Sequence, residues 1–427
     1  MDNFNDNDLI PRETPGENPD RSLDPASGKA LAAWENEDGS EPVGDKALEN
    51  RAEGVTPEEE EPVIRRKLPR VCFVLFGAAG VALIFYLISL ASPAFADWFC
   101  RYPAGAVRAA LAYLSSAIPF SFAEFLIILL PVIFVYVVAF GIRKYVDSWR
   151  NAGVFALTVL SVASVFFTLF VFTLGAGYRG TTLDAKLDIE RKKVSADELK
   201  QTAQILVDRL NAEREETDYL SDGFSVMPYS YEEMNRRLNQ TYRRISEEYG
   251  FIQGFGSRVK PVMLSEPWTY THITGVYTFF TGESNLNVNM PSYTLPFTEA
   301  HEMAHQRGIA REDEANFVAF LVCINSDDPY IRYSGYLNMF EYIASPLYSA
   351  DADAYRGILG RLDPDIRGEM TAYNKFFEKY RKNVVATVSS AINDTYLKSQ
   401  GTVGEKSYGL VVDLAVAYYR DSFGGQN

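Results

Sequence analysis

HEMAHQRGIAREDEANFVAFLVC, running from His301 to Cys323, holds two of the three histidines in a chain of 427 residues. His301 and His305 stand four residues apart, so on a helix their imidazoles share one face and can bind one metal ion, zinc being the expected cofactor. Glu302 projects beside them, placed to take a proton from a metal-activated water. Catalytic zinc takes three protein ligands and keeps a fourth position open, so a third ligand should follow nearby. Gly308 breaks the helix, and the chain resumes at Arg311-Glu312-Asp313-Glu314-Ala315-Asn316. Glu312 and Asn316 lie one turn apart and face the same way. A glutamate ligand followed by a short amide suits a partner that orients a zinc-bound imidazole. Glu314 sits about 200° round the helix from Glu312, so only one of the two can reach the same ion. That facing argument favours Glu312 and leaves Glu314 as the alternative ligand. The bland alternative for the whole pentapeptide is a pair of satisfied histidines.

Upstream of the motif, between roughly 260 and 288, β-branched and aromatic residues (HITGVYTFF, then SNLNVN) predict two or three short strands. The alternating asparagines Asn285, Asn287 and Asn289 suggest an edge strand. Such a strand either pairs with an extended substrate, with Asn285 and Asn287 as substrate candidates, or is an ordinary polar edge. Pro291 and Pro296 interrupt before helices take over from Thr298. An oxyanion would need a donor besides the metal. Tyr396, Tyr408 and His272 qualify by residue type, against a packing role for the tyrosines and a hydrogen-bonded structural role for the histidine. Ser195-x-x-Glu198 and Ser230-x-x-Glu233 read as capping boxes that open two charged amphipathic helices.

Further upstream lie three long apolar stretches, at about 71–91, 122–142 and 153–176, carrying a single charge, Glu124, among them. About 20 apolar residues are needed to cross the hydrocarbon core, so each reads as a transmembrane helix. Arg65, Arg66, Lys67 and Arg70 precede the first, and Arg143, Lys144 and Arg150 lie between the second and third. The link 93–121 has only Arg101 and Arg108. The positive-inside rule then places the N-terminus in the cytoplasm and everything after the third span outside the cell membrane. Arg179, Lys186 and Arg191 to Lys193 count against this less, because a long domain follows them.

Residues 1–62 carry 18 acidic against 5 basic side chains, which is most of the chain's net charge of −15. Such a segment cannot bury enough apolar surface to offset its ordering, so it reads as a disordered tail, and it lacks the pattern of a cleavable signal peptide. The remaining body is nearly neutral, which excludes nucleic acid as an expected partner. Three scattered cysteines, Cys72, Cys100 and Cys323, supply neither a disulfide framework nor a cysteine-rich zinc site. The expected organisation is thus a tail at 1–62, a membrane domain at 63–177 and a folded domain at 178–427.

His301–Cys323 resembles the core of an uncharacterised bacterial family of membrane-anchored HExxH proteins, classed as candidate zinc metallopeptidases. Its members have a few N-terminal transmembrane helices and a C-terminal metallopeptidase-like domain. The resemblance extends through Gly282–Asn287, Leu295–Thr298, Asn393–Lys398 and Ser407–Gly409, so it covers nearly all of residues 70–427 and omits the tail. More distantly, Glu312-x-x-Ala315-Asn316 is similar to an element of gluzincin-type peptidases, such as the membrane-bound prenyl-protein proteases. There the first glutamate is the third zinc ligand. The likeness implies His301, His305 and Glu312 as ligands and Glu302 as general base, although the seven residues from His305 to Glu312 are fewer than in most gluzincins. The fold class expected is α+β, mostly α, with a small β-sheet in a zincin-like domain. The function expected is peptide-bond hydrolysis, with a peptide or protein substrate, membrane-associated substrates included, and the bilayer as partner. The alternative is a non-catalytic zinc-binding membrane sensor. A transporter fits poorly, since the spans offer no polar pathway.

Overall fold

The first apolar stretch becomes α1 (Arg70–Ala91), and Pro93 then opens the next helix at the one position where a missing N–H costs nothing. Residues 65–423 are described by the structure, a computed structural model; the segment 1–62, with its expected disorder, lies outside them. The link after α1, to which the sequence reading assigns no secondary structure, forms two further helices, α2 (Pro93–Arg101) and α3 (Pro103–Ser116). Each begins on a proline, and the Ser92 side chain accepts a hydrogen bond from the Phe95 amide. Next come α4 (Phe122–Tyr145) and α5 (Trp149–Thr173), the latter capped by Ser148. Among the described residues, α1, α4 and α5 are the helices long and apolar enough to cross a membrane. Their bounds match the expected spans to within a few residues. α1 packs along α5, and α4 leans on α5 as well.

Beyond α5 a mostly helical body with one small sheet begins. α6 (Leu183–Leu187) leads to α7 (Ala196–Arg214) and α8 (Tyr231–Glu248). The Ser195–Glu198 capping box is reciprocal. Ser230 caps α8 from one side only, because the Glu233 carboxylate is taken up by Arg236 and Arg237. The sheet contains β1 (Lys260–Pro261), β2 (Gly275–Thr278) and β3 (Glu283–Leu286), with the short α9 (Ser265–Thr269) between β1 and β2.

The strand order is β1-β3-β2, with β3 parallel to β1 and antiparallel to β2. This corrects the edge-strand reading of the asparagine segment. β3 is the central strand, its backbone is paired on both sides, and it cannot take up a substrate strand. Its amides are also spent internally. Asn285 accepts from Ser121 Oγ at 2.7 Å and donates to Thr278 Oγ1 at 3.1 Å. Asn287 donates to Ile273 O at 3.2 Å and accepts from the Asn289 amide at 3.1 Å. A central strand buried on both faces may carry polar residues only when each amide finds partners, and here each does. The outer strands are β1 and β2.

Helices fill the rest: α10 (Thr294–Gln306), α11 (Glu312–Ile324), α12 (Pro329–Ala350), α13 (Ala352–Leu359), α14 (Pro364–Arg381), α15 (Val384–Ser399) and α16 (Val411–Tyr419). Pro296 does not interrupt; it sits in the first turn of α10, where its ring is tolerated. Every residue of α10 is buried, and α11 is buried through Cys323. Leu206 of α7, Leu238 of α8, Met303 of α10, Phe320 of α11, Leu337 of α12 and Leu414 of α16 belong to one continuous core.

Two carboxylates join the sheet region to α4. Glu283 accepts from the Phe122 and Ala123 amides at 3.1 and 2.8 Å, satisfying donors that the start of α4 would otherwise leave open. Glu124 accepts from the Met263 and Leu264 amides at 2.9 and 2.8 Å. The single charge in the apolar stretches is therefore a joint, not part of a conduction path.

Candidate metal centre

Because α10 is buried all round, its polar side chains are held away from water. His301, Glu302, His305 and Glu312 are each less than a tenth exposed. The turn from α10 to α11 is set by Gly308 at φ +97°, a left-handed conformation that favours glycine. An added Cβ there would also lie 2.6 Å from the guanidinium of the buried Arg108. The turn returns the chain against α10, so that Glu312, the first residue of α11, faces the two imidazoles.

The Nε2 atoms of His301 and His305 each lie 3.3 Å from Glu312 Oε2. Metal bonds of about 2.0–2.1 Å at a tetrahedral angle place donor atoms about 3.3 Å apart, so this spacing suits a shared ion. Glu312 Oε2 is buried and has no hydrogen-bond partner, which is a costly state for a lone acceptor. The rings of His301 and His305 are 4.6 Å apart between centroids and nearly perpendicular, at 89°. His305 Nδ1 donates to Ile309 O at 2.8 Å, and that bond leaves the Nε2 lone pair directed at the group. His301, His305 and Glu312 together form a buried set whose donor atoms all lie within 4.8 Å of one another.

The charges respond accordingly. Burial works against ionised His305, yet the Glu312 charge overrides it and carries the imidazolium pKa up to about 9. Burial likewise opposes the Glu312 carboxylate, and the two imidazoles hold it well below the ordinary range nonetheless. For Glu302 burial prevails and raises the carboxyl pKa, against the pull of the imidazoles and a hydrogen bond from the Tyr277 amide. A carboxylate beside the group with raised basicity can accept a proton.

The other expected residues divide. Glu314 does not join the group: its Oε1 accepts from the Leu183 amide and from Arg311 Nη1, at 2.9 and 2.8 Å. Asn316 is buried one turn beyond Glu312, but its amide nitrogen and His301 Nδ1 both lack a hydrogen-bond partner, so it does not orient the imidazole. Asn285 and Asn287 are engaged within the sheet, as described above. Tyr396 and Tyr408 both lie close enough to Glu312 for its charge, after burial, to help raise their phenol pKa values, Tyr396 to about 12. The Tyr396 hydroxyl is 3.3 Å from that of Tyr178, and Asn393 Nδ2 donates to Tyr408 at 3.4 Å. His272 stands apart, bonded to Tyr380 O at 2.7 Å and packed on Phe377, which gives it a structural role.

Two neighbours escaped the sequence reading. Tyr178 follows α5 and meets the group only through the fold. Gly275 on β2 lies against Glu302, and a Cβ there would fall 2.7 Å from its Oε1. A lone glycine within a strand pattern signals such a close approach, and in HITGVYTFF that signal was available.

Fold and site together define a mostly helical protein with three helices of membrane-spanning length and a buried group of two histidines and one glutamate able to hold a metal ion. The chain belongs to the family described as "Protein of unknown function (DUF3810)", which matches residues 102–416. That match takes in α4, α5, the sheet and all four residues of the centre, and leaves α1 outside. No curated protein and no solved structure matches the chain.

Proposed function

We propose that the protein is an integral-membrane zinc metallopeptidase, zincin-like in its folded domain, with His301, His305 and Glu312 as ligands and Glu302 as general base. The observation that carries this reading is the 3.3 Å spacing of two Nε2 atoms about an unsatisfied Glu312 oxygen, with Glu302 one residue along the same helix. Bound there, zinc would polarise a scissile carbonyl and lower the pKa of a water toward about 7. Glu302 takes that proton and later delivers it to the leaving amine, a role its raised basicity supports. The Tyr277 amide and the absence of a side chain at Gly275 fix the carboxylate in place. Tyr408 and Tyr396, both close enough to feel the Glu312 charge, are the candidate hydroxyl donors for a developing oxyanion. The substrate is a peptide or protein. Its backbone would run along β2, an outer strand that pairs only with β3 among the described residues, in place of the asparagine strand.

The first experiment is metal content by elemental mass spectrometry on the purified full-length protein. About one zinc per chain is expected for the wild type, with loss in both His305→Ala and Glu312→Ala. Zinc retained in Glu312→Ala would remove Glu312 from the ligand set. The alternative, a zinc-dependent sensor with no catalysis, rests on the same ligands and separates at Glu302→Gln. A peptidase keeps zinc in that variant and loses cleavage of a quenched fluorogenic peptide library by about 10²–10⁴-fold. Equal cleavage in wild type and variant would refute the assigned mechanism.

A further inference from the structure

α15 buries Ala386 and Leu397 yet turns a row of aliphatic residues outward. Its exposed face carries Val384, Val388 and Ile392 at successive turns, with Val385 beside them, at 79, 53, 66 and 53% exposure respectively. Its inner face carries the polar Ser390, bonded to Glu405, and Asn393, bonded to Tyr408 beside the metal centre. A helix on a water-facing surface has the opposite arrangement, and one that turns aliphatic residues outward has an apolar medium outside it.

α15 touches α5 directly at one end and is linked at the other, through the end of α14 and the α9 segment, to the start of α4. At its C-terminal end Tyr396 packs on Phe170 of α5, at 6.4 Å between ring centroids. Phe170 also touches Phe279 of the β2–β3 turn, and Phe280 of that turn touches Phe166. Phe166 lies seven residues, or about 10 Å, inside the end of α5. At the N-terminal end the capping Asn383 donates to Tyr380 O in the last turn of α14; Tyr380 O is also bonded to His272, and Lys379 of α14 pairs with Glu266 of α9 at 3.2 Å. The residues just before α9, Met263 and Leu264, are bonded through their amides to Glu124 in the first turn of α4, and their side chains are 77 and 48% exposed. α15 thus meets the end of α5 directly and reaches the start of α4 through α14 and the α9 segment, on the side of the metal centre. Arg381 and Lys382 precede it, and Lys398 in its last turn is exposed while paired with Asp394 at 2.6 Å, so cations that suit lipid headgroups flank the helix.

We propose that α15 lies in the interface of the bilayer that α1, α4 and α5 cross, with Val384, Val388 and Ile392 among the acyl chains. It is then the lipid-facing wall of the metal centre, since the same helix turns Asn393 and Tyr396 inward. The proposal depends on the membrane spans and not on peptidase activity.

The test uses the full-length protein in nanodiscs of phosphatidylcholine and phosphatidylglycerol. Val388→Cys and Ile392→Cys are labelled with a nitroxide, with Asp353→Cys, on the exposed part of α13, as the water-facing reference and labelled wild type as background. Collision with oxygen is expected to exceed collision with a water-soluble nickel complex several-fold at 388 and 392 relative to 353. Nickel access equal to that at 353 would overturn the proposal. Loss of access to both reagents would also overturn it, because the face would then be covered by protein. These positions are exposed, so the substitutions leave the core untouched.

Discussion

Gly275 has no side chain, and the carboxylate of Glu302 lies where one would be. Its backbone is ordinary for a strand, so alanine is sterically incompatible with the neighbour alone. Gly275→Ala is expected to displace Glu302 while leaving the three ligands in place. Zinc content by elemental mass spectrometry should stay at the wild-type level, while peptide hydrolysis falls by about 10²-fold, the cost of a misplacement near 1 Å. Unchanged hydrolysis would show that the Glu302 position is not limiting. The contrast with Glu312 shows which residues a sequence can reveal. His301, Glu302 and His305 are legible because helical spacing fixes their relation. Glu312 is legible because a facing argument separates it from Glu314. Tyr178 is not, because its approach depends on how the segment after α5 meets the turn between α10 and α11, and no local periodicity encodes that. Asn316 was assigned to an imidazole on helical facing alone, and facing does not guarantee a hydrogen bond.

At the scale of elements, the joint between the sheet and α4 is a buried ion pair. Lys260 and Glu283 have no exposed side-chain surface, and their charged atoms are 4.0 Å apart. Lys260 also donates to Ser115 O at 2.8 Å and to Ile118 O. Glu283→Ala strands a buried ammonium and uncaps α4, so a loss of about 3–5 kcal/mol is expected in thermal or denaturant unfolding in detergent. Adding Lys260→Met should restore part of it, and a double mutant no better than the sum of the single ones would show the pair to be uncoupled. A second joint links α14, α12 and the turn before α8. Glu369 is buried, accepts from Ser225 N, Ser225 Oγ and Tyr333 Oη, and its carboxyl is raised by burial from 4.5 to about 7. The folded state therefore binds the proton more tightly than the unfolded state. Its contribution is complete below pH 4.5 and is lost as pH rises through about 7. Between pH 5 and 8 the wild type should lose about 2 kcal/mol that Glu369→Gln does not, read from paired unfolding curves. The spans, the motif helix and the Ser195–Glu198 capping box are readable because each is written in a short run of neighbouring residues, whereas the Ser230–Glu233 box forms on one side only, because Arg236 and Arg237 take its carboxylate. The strand order was not: alternating asparagines read as a solvated edge, whereas their partners come from Ser121, Thr278 and Ile273, distant in sequence. α3 is hidden because its alanine-rich sequence has a weak apolar period, and α2 because nine residues are too few to show one.

For the molecule as a whole, the two ends of the helical bundle differ in charge. At the end away from the sheet, the Arg66 amide donates to Asn151 and its guanidinium to Lys144 O, at 2.9 and 2.8 Å, over the Tyr145 ring. Arg65, Lys67, Arg70, Arg143 and Arg150 belong to the same short segments. At the other end the link between α1 and α4 contributes Arg101 and Arg108, and Arg108 is buried. Arg179, Lys186 and Arg191 share that end, but they precede a domain of some 240 residues, and the bias acts through short loops. The proposed orientation follows: the basic end in the cytoplasm, and the metal centre with α15 on the outer side of the cell membrane. With an epitope tag at each terminus, external protease on intact cells is expected to remove the C-terminal tag and spare the N-terminal one until the cells are permeabilised. The reverse pattern would place the metal centre in the cytoplasm and make its substrates cytoplasmic, while leaving the ligand set and the interfacial role of α15 unchanged. Orientation and chemistry can therefore fail independently, and each has its own measurement.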